Sequence, residues 1–506
     1  MQLNKQIFII ISLIIICNED LIFSQTYQGY TLFGPNNSRN TYLADMNNTV
    51  VKSWTHSRNG GYSAYLLEDG NVLRTATSGS SSLNGGGAQG VVQRYSWNGT
   101  LTWEYTYSTS TYRAHHAIEP MPNGNMLIIA WEVKTASQAV QAGLNHSATI
   151  WPDHIIEVQP VGSNGGNIVW QWHAWDHLIQ DYDATKSNYG VVANHPELFD
   201  INVESAGSGD WLHINGISYI SSLDQIVISS HELDEIYVID HSTTTQQAAG
   251  HTGGNSGKGG DILYRWGRPS NYRAPGSQVF NVVHCSVWIP DSLPGGGNIM
   301  AFNNREAQGT SMIVEIVPPL DTNGHYTHTL GTAYLPSSPV WSYTASGFYS
   351  NHLGGCQRLP NGNTLIVEST SGYMFEVNSS GTTVWSYNRG GEIVRALRYP
   401  PNYPGLIILD VGETDAEVPD KYKLFQNYPN PFNPTTTISF ELPSESFASL
   451  KVYDVLGTEV ATLVNDKLTA GHHEVTFNGS QLTSGVYFYR LLAGKYTKTS
   501  KAVLIK

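Results

Sequence analysis

Charge is scarce in this chain: only 13% of its 506 residues are Asp, Glu, Lys or Arg, about half the usual share. The 41 acidic residues outnumber the 27 basic ones. No basic run occurs, which excludes a nucleic-acid partner, because phosphate neutralisation needs clustered cations. Cysteine is nearly missing, with three residues in all, so neither a disulfide scaffold nor a Cys-rich zinc module is possible. One apolar run stands out, Ile7 to Cys17 in "MQLNKQIFIIISLIIICNEDLIFSQ". It is too short for a membrane span and has the charged start and polar break of a secretory leader. Cleavage is expected near Ser24–Gln25, so 1–25 is read as a signal peptide. Lipidation at Cys17 is disfavoured by Ile16, where a small residue is needed. Amphipathic helices of ordinary length are missing too.

What the chain has in abundance is glycine (49), tyrosine (29) and tryptophan (13). Tight turns and aromatic strands fit an exported all-β protein. "MPNGNMLIIAWE" at Met121 and "LPNGNTLIVEST" at Leu359 are close copies. "LEDGNVLRTAT" at Leu67 and "GGGNIMAFNN" at Gly295 are weaker ones. Each places a turn signal before an alternating apolar run, the pattern of a turn entering a strand. Two-strand units ending on tryptophan follow, as in "IIEVQPVGSNGGNIVWQW" at Ile155 and "MFEVNSSGTTVWSYN" at Met374. Such recurrence predicts a β-propeller over 26–408, with six blades preferred and a β-sandwich as the competing architecture. The acidic stretch "LDVGETDAEVPDKYK" marks a linker at 409–421, and strands separated by glycine turns over 422–506 predict a small β-sandwich.

Histidines punctuate otherwise apolar or glycine-rich motifs: "RAHHAIEP", "WQWHAWDHL", "DWLHING", "ISSHELDE", "VVHCSVWIP" and "SNHLGG". In "SGDWLHINGISYI" strict strand alternation puts Trp211 and His213 on one face and Leu212 and Ile214 on the other. One such imidazole is ordinarily satisfied by a backbone carbonyl. Recurrence at strand starts instead implies a ring around the propeller axis. A ring of this kind suits metal binding, nucleophilic catalysis or the stacking of a sugar or aryl ligand. Helical His pairs and Cys spacings are missing, so no metal is expected. Of His115 and His116, alternation sends one away from the channel. "GHTGGNSGKGGD" departs from the spacing of a phosphate loop and reads as a surface loop.

Two resemblances sharpen this reading. "NYPNPFNPTT", "VYDVLG" and "GVYFYRL" resemble the C-terminal sorting domain of the type IX secretion system. That implies export through the secretion machinery to the cell surface or exterior. "HHAIEPMPNGNMLIIAWE", "DWLHINGISYI", "IVISSHELDEIYVIDHSTT" and "GHTGGNSGKGGDILYRWGRP" resemble the bacterial arylsulfate sulfotransferases. This resemblance implies a six-bladed propeller that passes a sulfuryl group from an aryl sulfate donor to a phenolic acceptor, without cofactor or nucleotide. It also implies catalytic roles for His213, His284, Arg305 and His352, with His352 as the nucleophile that carries the sulfuryl group. Trp211, His115, His116 and Asn303 are expected to line the substrate site. Where the family tends to read Gln-His-Asp-Ala-His, this chain has Cys285 and Val287 after His284, which puts the hydrogen-bonding shell of His284 in question. The rival expectations are a surface propeller that only binds glycans or aryl ligands, and a metal-dependent hydrolase or lyase.

Overall fold

The computed structural model describes residues 26–505 apart from 80, 204–208, 323 and 410–420. The expected leader at 1–25 and most of the linker at 409–421 lie outside the described residues. The chain divides into two compact units, Met1–Leu406 and Ile407–Lys506.

The first unit is all-β and propeller-like. Four antiparallel four-stranded sheets follow one another, and a seven-stranded sheet joins the two ends of the unit. In that larger sheet the last strand, Ile393–Tyr399, pairs with the first, Tyr30–Pro35. The strand Val50–Leu66 pairs with Ser38–Ala44 along its first half and with Val72–Thr77 along its second. The near-copies seen in the sequence make the same turn. Met121 N bonds Asn125 O at 2.9 Å, and Leu359 N bonds Asn363 O at 2.8 Å. The apolar strands that follow, Met126–Glu132 and Thr364–Glu368, are buried on both faces because neighbouring sheets pack on either side. Each fully buried Ile, Leu or Val contributes about 1.5–3 kcal/mol.

Tryptophans stitch neighbouring sheets together, and Trp54 joins two parts of the seven-stranded sheet. Indole Nε1 donates to a backbone carbonyl from Trp54 to Trp97, Trp103 to Gly165, Trp172 to Gly260, Trp266 to Pro336, Trp341 to Ser379 and Trp385 to Met46, at 2.7–3.2 Å. This explains why the repeated units end on tryptophan: a large apolar face fills the gap between sheets while one polar atom finds a carbonyl. The inner strands also meet in succession. Val50–Leu66 packs on Tyr112–Pro120, that strand on Ile214–Ile220, and that on Val283–Trp288. Gly355–Arg358 and Ile393–Tyr399 follow, and the last returns to Val50–Leu66.

The second unit packs a three-stranded sheet and a four-stranded sheet around one core. Ile438, Phe440 and Phe477 come from the first sheet; Leu450, Val452, Tyr489 and Leu491 come from the second. This is the sandwich arrangement that alternation in "TISFEL" and "VYFYRLLA" requires, with buried residues at every second position.

Candidate functional site

At the beginning of the inner strands the regular ladder breaks. Pairing shifts register between Ala114 and Ile118, between Ile214 and Gly216, and between His284 and Val287. His116, His213, Cys285, Arg305 and Leu353 all take left-handed backbone conformations, with φ from 48 to 58°. Non-glycine residues rarely adopt this region, and bulges and strain of this kind gather at functional sites.

The bulges turn a run of imidazoles toward one another. Ring centroids are 4.7 Å apart for His116 and His213, 4.9 Å for His213 and His231, and 5.6 Å for His231 and His284. Tyr62 stands edge-on to His116 at 5.3 Å. Beyond it, Asn36 bonds Glu392, whose Oε2 lies 3.0 Å from His352 Nε2. The row thus runs from Glu392 and Tyr62 through four imidazoles to His284, which accepts a bond from Leu353 N at 3.3 Å.

The imidazoles differ in what their nitrogens do. His213 Nδ1 lies 2.6 Å from Asp210 Oδ2, and Asp210 Oδ1 accepts from Trp131 Nε1 at 2.8 Å. A carboxylate fixed in this way holds Nδ1, and Nε2 lies beneath Gly86. His231 Nδ1 lies 3.2 Å from Glu232 Oε1, and this pairing holds the Glu232 carboxyl below its usual range. His284 has both nitrogens committed, Nδ1 to Asn304 Oδ1 at 2.7 Å and Nε2 to Leu353. His352 is half exposed, with Nδ1 on Asn351 Oδ1 at 2.8 Å and Nε2 on Glu392.

Burial pushes the pKa values of His115, His116 and His284 well below normal, and the neighbouring histidines push them further. All three are therefore neutral near pH 7. His115 stacks on Trp131 at 3.9 Å, with Nε2 2.7 Å from Asp153 Oδ1. Burial, and then the charge of Asp210, holds the Asp153 carboxyl well above the carboxylate range.

Several expectations change. Trp211 and His213 do not share a strand face, because the strand begins only at Ile214 and His213 has φ 51°. Trp211 is fully buried against Phe199 in the core, so it has no face for a ligand. His115 and His116 do not diverge: the bulge brings their Nδ1 atoms to 2.8 Å. Asn303 is buried and its amide serves the backbone, accepting from Asn281 N and Arg305 N and donating to Val279 O. Arg305 sits in the turn after Asn304, and among the described residues its guanidinium has no side-chain partner. Cys285 faces Cys356, not the ring; both are buried and reduced. The shell of His284 that Cys285 put in question is supplied by Asn304.

Asp210, Tyr62 and Glu392 join the site without having been singled out from the sequence, and His231, read there as one of the recurring histidines without a role, joins it too. "SSHELDE" did show an imidazole after an apolar strand. Nothing local marked Tyr62 or Glu392. Over the ring lies the segment "NGGG". A Cβ on Gly87 (φ 74°) would fall 2.2 Å from the His116 ring, so only glycine permits this cover. Gly85, Gly87 and Tyr62 line a cleft of about 260 Å³ beside it.

The fold and site define the class: an all-β, propeller-like protein with a histidine-lined centre at one end of its inner strands. The Arylsulfotransferase (ASST) family matches residues 36–404, and the chain belongs to that family. Residues 426–506 match the secretion system C-terminal sorting domain, the type IX address for export to the surface or exterior. No curated protein matches the sequence. Among solved structures, a protein of unknown function from Bacteroides caccae is similar at 11% identity and TM-score 0.41, covering 73% of this chain and 98% of that one. A putative 6-phosphogluconolactonase from Bacteroides fragilis has 10% identity and TM-score 0.37, covering 74% and 98%. PorZ, a surface component of the type IX secretion system of Porphyromonas gingivalis, has 11% identity and TM-score 0.27, covering 94% and 51%.

Proposed function

We propose that the first unit is a six-bladed propeller that transfers a sulfuryl group from an aryl sulfate to a phenol through a sulfohistidine. The blade count is supported by the cyclic succession of inner strands and the matching belt of six indole–carbonyl bonds. The chemistry is supported above all by His213, whose Nδ1 is held by Asp210 and whose ring lies 4.7 Å from that of His116 and 4.9 Å from that of His231.

In this mechanism His352 attacks sulfur. An N–S bond forms, the S–O bond to the aryl group breaks, and the electron pair leaves on the phenolate oxygen. An imidazolium at His213 gives that oxygen its proton, and then removes the proton of the incoming phenol as it attacks the sulfohistidine. Arg305 offsets charge on the sulfuryl oxygens. Tyr62 takes the stacking role expected of Trp211, and His284 positions His352 through Leu353. For its attack His352 gives up Glu392. A second reading makes His213 the sulfuryl acceptor, favoured because Asp210 holds its Nδ1 and its ring sits within the row of imidazoles.

Incubating the purified protein with 4-nitrophenyl sulfate and no acceptor, then mapping the modified peptide, separates the two. Sulfuryl on the His352 peptide supports the first, and on the His213 peptide the second. Acceptor-dependent nitrophenol release that survives chelation is expected in both cases. No release under any condition sinks both readings and leaves a binding propeller; release that requires a divalent metal points to a hydrolase. Family membership favours neither of these rivals.

A further inference from the structure

A second histidine cluster lies outside the ring, where the turn after Gly165–His173 meets the glycine-rich segment 250–261. His177 is fully buried. Its Nε2 is 2.8 Å from the carbonyl oxygen of Ala248, which only accepts, so that nitrogen carries the proton. Its Nδ1 is 2.8 Å from Asp261 Oδ1. With Nε2 donating to Ala248, the approach of Nδ1 to a carboxylate oxygen is favourable only with a cation between them, a second ring proton or a metal ion. His251 Nδ1 approaches the same oxygen at 2.7 Å, with its ring 85° from that of His177. Two imidazole nitrogens and a carboxylate oxygen therefore converge, all within 4.8 Å of one another.

The surroundings fit a cation better than a chance pairing. Imidazoles that bind metals ordinarily donate their other N–H to a carbonyl or carboxylate, as His177 does to Ala248. Gly260 makes this fit possible: a Cβ there would lie 2.6 Å from His177 Nε2 and 2.0 Å from Ala248 O. His251, by contrast, is 60% exposed at its side chain and borders a cleft of about 450 Å³ shared with His195 and Tyr189. A second convergence, Glu132 with His154 and His173, is weaker because Lys134 Nζ already lies 2.8 Å from Glu132 Oε2.

We propose that His177 Nδ1, His251 Nδ1 and Asp261 bind a late first-row divalent metal of the Zn²⁺ type, with water from the cleft completing the shell. Two nitrogens and one oxygen favour such an ion over Ca²⁺ or Mg²⁺, which take oxygen ligands. The site staples the segment 241–263 of one sheet to the turn leaving its neighbour. It takes no part in the transfer chemistry of the ring.

The full chain, stripped with chelator, is titrated with Co²⁺ and Zn²⁺ and followed by visible absorption, equilibrium dialysis and thermal unfolding. One equivalent of tight binding and a higher unfolding temperature with Zn²⁺ are expected, with no response to Ca²⁺. His251→Ala, at an exposed position, should weaken binding at least tenfold and leave the unfolding temperature of the metal-free protein unchanged. His173→Ala should bind as the unaltered chain does. The proposal is overturned if no stoichiometric binding occurs, if His251→Ala binds equally well, or if His173→Ala abolishes binding. Absence of binding would mean that a proton, and not a metal, separates His177 from Asp261.

Discussion

The two ends of the inner strands obey different rules. Where the strands begin, bulges and left-handed residues turn His116, His213 and His284 toward one another and toward His231, in the turn after Gln225–Ser230. Farther along, the strands enclose a cavity of about 290 Å³ with an apolar lining that includes Trp288, Ile289 and Leu397. Its polar lining includes Glu119, Tyr65, Arg358 and Arg395, and the Cys285–Cys356 pair borders it. At one end burial lowers the pKa of His116 and His284, and at the other burial raises that of Glu119. Regular alternation builds a wall, and chemistry needs its interruption.

The sharpest way to break this contrast is His213→Ala. If the ring is catalytic, kcat for aryl sulfate turnover should fall about 10³-fold, while the thermal midpoint stays within a few degrees. An unchanged kcat removes His213 from the chemistry.

Acid should come next in size. His154 has its pKa lowered to about 3 by burial and then His173, and His115, His116 and His284 also lie well below 6.5. The unfolded chain takes up these protons near pH 6.5 and the folded chain does not. Their stabilisation is present above pH 6.5 and is lost as pH falls toward 3. Chemical unfolding at pH 7 and 4.5 should differ by roughly 3 kcal/mol or more in favour of pH 7. A flat profile would show that these imidazoles are not buried as neutral bases.

Gly87→Ala tests the cover over the ring. A methyl group there meets His116 and must hold φ 74°, so a loss of about 2 kcal/mol in urea unfolding is expected. The same change at Gly457, where φ is 84° and the Cβ position is open, should cost only the backbone part.

The smallest effect belongs to the opposite end. Burial raises the Glu119 carboxyl from 4.5 to about 7, while the hydrogen bond from Tyr65 opposes the rise. For this group the unfolded chain releases the proton first, so stability falls as pH rises from 4.5 to 7. Glu119→Gln should remove that slope, adding about 1 kcal/mol at pH 5.5 relative to pH 4.5. An equal slope in both proteins would show that Glu119 is ionised when folded.

Local sequence carries the strands because their cause is local. Asn-Gly turns need positive φ, and apolar runs need a buried sheet, so "PNGNMLIIAWE" reads as a turn and an inner wall without further information. His213 and His284 were legible as imidazoles at strand starts. Trp211 and the His115–His116 pair were misread because alternation was applied across residues that the bulges remove from the ladder. Asn303 looked like a lining residue, yet its amide is spent on its own turn.

The amino-acid order alone determined an exported all-β chain with a sorting domain at its end and histidines at recurring turns. Tertiary structure alone decided which nitrogens are free. Asn304 and Leu353 occupy His284, and Glu392 reaches His352 from 40 residues away, whereas Asp210 holds His213 from only three residues before it. Propensity and periodicity act over a few residues, whereas the partners of His284 and His352 lie 20, 69 and 40 residues away along the chain.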